Sequence, residues 1–240
     1  MKRTRMLIKN YYEAKCTGHD EGFDIKQVHE DNFEEYYVLL KPKYGIYRDQ
    51  AHIIHLKTSY GSNKKITYPI NPPLLKFLTT IEHVNISVNG SICLDILKES
   101  TKWMPTYSFS HVMFNLMLLY QQSNTSSPFN AIAARKYTKC MADFKNKKTN
   151  DMTEEQVEQL REQCFKSYKD SCDEYYLKHN TVILGKYAKW FPELIGGEST
   201  YDKDLAELKE IYDNIKPVDT AEKKPKKKSK KKRWQRHRKN

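Results

Sequence analysis

Among the residues that could do covalent chemistry, Cys93 has the most unusual setting. It follows the turn dipeptide Asn89-Gly90 in the run Ser91-Ile92-Cys93-Leu94-Asp95, with His83 and Asn85 a short way upstream. A cysteine thiolate is the nucleophile of acyl transfer, and near neutral pH its population is already useful without a dedicated base. Taken by type alone, a cysteine in Ile-Cys-Leu is a small buried hydrophobe. On the same terms His83 is a core or turn histidine and Asn85 a turn residue bonding its own backbone. The five cysteines are odd in number and form no Cys-x-x-Cys pair, and Cys164, Cys172 and His179 lack zinc spacing, so no metal site is expected. No Gly-x-Gly-x-x-Gly, Walker lysine or His-Glu-x-x-His occurs.

The elements that must position these residues read as α+β. Residues 5–15 suggest a short basic first helix with Leu7 and Tyr11 on one side. Strand patterns follow at Phe23 to His29, Glu35 to Lys41, His52 to Lys57 and Leu74 to Thr79, with short turn-rich joints that favour a four-stranded antiparallel meander. Tyr68-Pro69-Ile70-Asn71-Pro72-Pro73 removes three backbone donors and predicts an extended, irregular approach to the fourth strand. Beyond residue 100 the period becomes helical. Val112, Leu116, Leu119 and Tyr120 follow possible caps at Ser108 and Ser110, and a second helix is expected over Phe129 to Lys139. Thr153-Glu154-Glu155-Gln156 is a capping box opening a helix to about Lys178, and Asp204 to Ile215 is weakly periodic.

Charge divides the chain. The net charge is +12, yet residues 221–240 hold nine Lys and three Arg against one Glu, which leaves the body close to neutral. Nucleic-acid binding would therefore have to rest on that tail. The 17 tyrosines argue against wholesale disorder. No run approaches the roughly 18 apolar residues of a membrane span, and no signal-peptide pattern opens the sequence, so free thiols in the cytoplasm, the nucleus or both are expected.

Residues 68–137 closely resemble the core of ubiquitin-conjugating enzymes. The likeness is carried by Tyr68-Pro69-Ile70-Asn71-Pro72-Pro73, Phe77 to Ile81, His83-Val84-Asn85-Ile86, Asn89 to Leu97, Trp103-Met104-Pro105, Asn124 to Asn130 and Ala133 to Tyr137. The resemblance implies that Cys93 accepts ubiquitin, or a related modifier, as a thioester from the activating enzyme. It implies that Asn85 steadies the oxyanion or orders the active-site loop, that His83 is structural, and that Ser127 lies at the mouth of the site. Ile70 and Pro105 would meet ubiquitin ligases, and Arg5 and Lys9 the activating enzyme. No cofactor is implied, since ATP is used by the activating enzyme. The partners implied are ubiquitin, the activating enzyme, a ligase and protein substrates. Three departures stand out: Val84 replaces a proline and should loosen its loop, Ile70 replaces the usual Phe, and Asp49-Gln50 replace paired glycines.

On this reading residues 1–140 are the catalytic core, 141–216 a helical extension whose stripe (Val157, Leu160, Cys164, Tyr168) packs on the core, and 217–240 a disordered Lys/Arg-rich tail. The tail suits nuclear import, or contact through residues 223–238 with nucleic acid or an acidic partner; no membrane contact is expected. Three functions compete: an active conjugating enzyme for ubiquitin or another ubiquitin-like modifier, a non-catalytic binding protein on the same fold, and a basic-tailed nucleic-acid binder. Cys93 in its full local context favours the first.

Overall fold

The computed structural model describes residues 2–61, 65–98 and 102–215; the tail expected over 217–240 lies outside the described residues. Helix α1 (Lys2–Glu21) is followed by strands β1 (Phe23–His29), β2 (Asn32–Leu40), β3 (His52–Lys57), β4 (Ser59–Tyr60), β5 (Ile66–Thr67) and β6 (Leu74–Phe77). Then come helices α2 (Asp95–Lys98), α3 (Phe109–Gln121), α4 (Ala131–Lys145), α5 (Glu154–Tyr187), a 3₁₀ turn (Pro192–Ile195) and α6 (Tyr201–Ile215). The main sheet runs β1-β2-β3-β6, all antiparallel, which is the expected meander. The β4-β5 ribbon was not anticipated, because its two-residue strands are too short to carry a period.

Helix α1 runs beyond the expected 5–15 at both ends. Its buried face continues from Leu7, Ile8 and Tyr11 through Ala14, Lys15 and Gly18, and an apolar pattern does not count the lysine. Lys15 is fully buried because its ammonium pairs with Asp24 at 2.5 Å and Asp204 at 3.5 Å. That cluster, with Lys26 at 2.9 Å from Asp204 and the Tyr12–Tyr212 stack at 4.3 Å, fastens α6 along α1.

Both faces of the sheet are covered. Ile25, Tyr36, Val38, Ile54, Leu56, Leu75 and Phe77 join the main core with α1, α3, Phe165 and Tyr168. On the other face Leu39 and Ile53 pack with Phe191, Tyr37, Tyr187 and Trp190. That second layer explains why α5 continues to Tyr187 rather than ending near Lys178: its last turns still have a surface to bury. The capping box at Thr153 and Gln156 forms as expected, and Ser108 and Asn130 cap α3 and α4.

Candidate active site

Cys93 is reached through a turn that only glycine fits. Gly90 has φ +84°, and an added Cβ would fall 2.1 Å from the Phe77 carbonyl oxygen. That contact closes the turn on the last core strand, where Phe77 N donates to Gly90 O at 2.9 Å. From there the chain runs back beside residues 83–86, and Cys93 N donates to Asn85 O at 2.8 Å.

Asn85 is fully buried and spends its side chain on the facing loop. Its Nδ2 donates to Asn124 O at 2.7 Å and Ser127 O at 3.5 Å, and its Oδ1 accepts from Asn124 N at 2.8 Å. His83 is fully buried as well. Its Nδ1 accepts from Asn85 N at 2.9 Å and its Nε2 faces Leu119 O at 3.2 Å, so the neutral Nε2–H tautomer fits both partners. Burial pulls the His83 pKa down to about 4, in keeping with that neutral ring.

The looseness expected at Val84 is not found. Val84 is completely buried, and its carbonyl accepts from Phe129 N at 2.8 Å and Asn130 N at 3.1 Å. Residues of α5 hold the same segment from behind. Cys172 Sγ and the Tyr168 hydroxyl both reach Glu82 O, Ser171 donates to the Glu82 carboxylate at 3.1 Å, and Asn180 brackets the Thr80 backbone with two 2.7 Å bonds. Asp49 takes the left-handed conformation, φ 74°, that suits the glycine it replaces. Gln50 beside it is buried and donates to Asp173 of α5 at 2.7 Å.

Cys93 itself is 4% exposed. Its sulfur lies 3.6 Å from Ser127 O and 2.6 Å from Lys98 Nζ, and that ammonium also sits 4.6 Å from the Phe129 ring centroid. Ser127 is exposed at the rim. The fold thus brings Cys93, Asn85, His83 and Ser127 together. Sequence reasoning missed Lys98, whose only signal is its position at the end of the short helix α2, five residues past Cys93.

Ile70 and Pro105 are exposed on two loops tied to each other: Trp103 Nε1 donates to Pro69 O at 2.8 Å and Tyr68 OH to Tyr107 O at 2.7 Å. Arg5 and Lys9 are exposed on α1, whose neighbouring Arg3 donates to Tyr68 O at 3.4 Å, which sets the basic helix beside the Ile70 loop. Burial raises the Cys140 pKa and pushes that of Cys172 up to about 12, so neither is a ready nucleophile. Cys16 and Cys164 sit mid-helix on α1 and α5.

The family model described as ubiquitin-conjugating enzyme matches residues 7–152. Ubiquitin-conjugating enzyme E2 1 of Caenorhabditis elegans is 31% identical over 116 residues, covering 48% of this chain and 55% of that protein. The NEDD8-conjugating enzyme UBC12 of Eremothecium gossypii is 38% identical over 98 residues, covering 41% and 49%. The Nedd8-conjugating enzyme UbcE2M of Drosophila melanogaster is 33% identical over 97 residues, covering 40% and 49%. The chain spans about half the length of the curated relatives it matches.

Proposed function

The chain belongs to the ubiquitin-conjugating enzyme family, and from that premise we propose that Cys93 carries the C-terminus of ubiquitin or a close relative as a thioester. The observation that carries this reading is convergence on one sulfur: the turn holding Asn85 and the loop holding Ser127, joined by the Asn85 amide, meet at Cys93.

In the first step the Cys93 sulfur displaces the activating enzyme's thiol from the modifier's terminal carbonyl. One carbon–sulfur bond forms as another breaks, and the proton passes to the departing thiol, so the exchange is nearly balanced. In the second step a substrate amine, or a ligase thiol, adds to the Cys93 thioester and forms a tetrahedral oxyanion. Collapse expels the Cys93 thiolate, and the acceptor's proton goes to solvent. Both polar atoms of Asn85 are occupied by the 124–127 backbone, which supports a loop-ordering role over direct oxyanion donation. His83 acts as a buried strut, and Ser127 lines the path of the incoming acceptor.

The relatives include conjugating enzymes for ubiquitin and for NEDD8, so the modifier is decided by charging the protein with each activating enzyme, ATP and its modifier, and reading the adduct without reductant. Ile70 and Pro105 are proposed to meet a ligase, and Arg5 and Lys9 the activating enzyme. The basic tail is proposed to serve nuclear import first and polyanion contact second.

A further inference from the structure

Glu82, the residue before His83, is the only Asp, Glu, Lys or Arg between Phe77 and Leu94, and it is 8% exposed. A carboxylate buried to that degree must be paired and hydrogen-bonded. Its partners come from two helices. Lys136 Nζ of α4 donates to Oε1 at 2.8 Å, and Ser171 Oγ of α5 donates to Oε2 at 3.1 Å. Lys136 Nζ also donates to Ser171 Oγ at 2.7 Å, so the three groups close a ring. The Glu82 backbone is held separately, its carbonyl accepting from the Tyr47 hydroxyl at 2.9 Å. The carboxylate is therefore not needed to fix Glu82 itself; what it fixes is α4.

The segment 82–85 grips α4 at two points. Val84 O holds Phe129 N and the N-cap residue Asn130, and Glu82 holds Lys136, six residues on and about 9 Å farther along the axis. One anchor leaves a helix able to pivot, whereas two fix its direction. The loop leading into α4 carries Ser127, whose carbonyl lies 3.6 Å from the Cys93 sulfur, and Asn85 orders that same loop. A pivot of α4 would carry this rim across the mouth of the site. Resting on the thioester reading of Cys93, we propose that Glu82 is a positioning residue: through Lys136 it aims α4, and so sets the path by which an acceptor amine reaches the thioester. It moves no proton in the reaction. Its leverage comes from the geometry of attack, where a displacement of about 1 Å arising far from the chemistry can cost on the order of 10²-fold in rate.

The test compares the full chain with Glu82→Gln, Lys136→Met, Lys136→Arg and the double variant Glu82→Gln/Lys136→Met. Each is charged to completion with activating enzyme, ATP and ubiquitin, with NEDD8 in parallel. The activating enzyme is then stopped, and single-turnover discharge to free lysine is followed on gels without reductant, well below the unfolding transition measured by circular dichroism. The expected result is discharge at least fivefold slower in Glu82→Gln and in Lys136→Met. Lys136→Arg, which can still pair, should stay within about twofold of the parent. The double variant should be no slower than Lys136→Met, because both changes cut one tie. Its Tm should nevertheless be the higher of the two, since Lys136→Met alone leaves a buried carboxylate without its cation. A role in stability alone predicts rates that follow Tm across the set; that result overturns the positioning role and leaves Cys93 standing. So does a single variant that cuts the tie yet discharges at the parent rate, a pair of losses that multiply in the double variant, or a variant that cannot be charged when the parent can. A parent that forms no thioester overturns both readings.

Discussion

Replacing Asn180 by Ala removes the clamp by which α5 grips the segment leading into the site. Asn180 is fully buried; its Oδ1 accepts from Thr80 N at 2.7 Å, and its Nδ2 donates to Thr80 O at 2.7 Å and Tyr176 O at 3.0 Å. An orphaned buried donor or acceptor costs about 1–3 kcal/mol. Thr80 is only half-buried, so the low end applies and the two orphaned groups together cost about 2–4 kcal/mol. For a chain of about this length each kcal/mol moves Tm by roughly 2–4 °C, which predicts a fall of roughly 4–16 °C. Thermal unfolding by circular dichroism measures it, and a urea titration with an unchanged slope shows that the unfolding transition is the same. Because Thr80 lies just before Glu82 and His83, single-turnover discharge of the Cys93 thioester should slow along with the loss of stability. A Tm within about 1 °C of the parent, despite a loss that should exceed 4 °C, would refute the idea that α5 braces the catalytic loop.

Asn85→Ala should still form a thioester but discharge it to free lysine more slowly, because three bonds ordering the 124–127 loop are lost; equal single-turnover rates would remove Asn85 from the mechanism. Burial pulls His52 down to about 3 and His83 to about 4, whereas in the unfolded chain both protonate near about 6.5. The unfolded state therefore binds more protons in acid. The stability from these rings is whole above about pH 6.5 and falls toward pH 4 by up to about 1.4 kcal/mol per pH unit for each ring, so urea midpoints should drop between pH 7 and 5, and a flat profile contradicts this. Deleting residues 221–240 should leave charging of Cys93 unchanged while a reporter fused to that segment enters the nucleus; a truncated protein that cannot be charged would show that the tail recruits the activating enzyme.

Apolar patterning made the frame legible. The Tyr, Val and Leu of Glu35 to Lys41 and the Ile of His52 to Lys57 marked the sheet, and Ser108 and Thr153 marked helix starts. What escaped was polar. Lys15 lengthens α1 only because Asp24 and Asp204 lie across from it, and Asn180 belongs to the buried face of α5 although a hydrophobic stripe omits it. The adjacent pairs Leu39-Leu40 and Ile53-Ile54 did hold a readable sign that both faces of the sheet are covered, since a half-exposed strand alternates. At the site, family motifs pointed to Cys93, Asn85, His83 and Ser127. Lys98 was hidden because a charged residue five positions past a cysteine reads as solvated until the short helix α2 turns it back.

The central claim is that Cys93 is the thiol that carries the modifier. The direct measurement charges the parent and five single Cys→Ser variants with activating enzyme, ATP and modifier, then compares adducts on gels with and without reductant. The account predicts a reductant-sensitive adduct in the parent and in the variants at Cys16, Cys140, Cys164 and Cys172, and in Cys93→Ser either none or an oxyester that survives reductant. A reductant-sensitive adduct persisting in Cys93→Ser would contradict it.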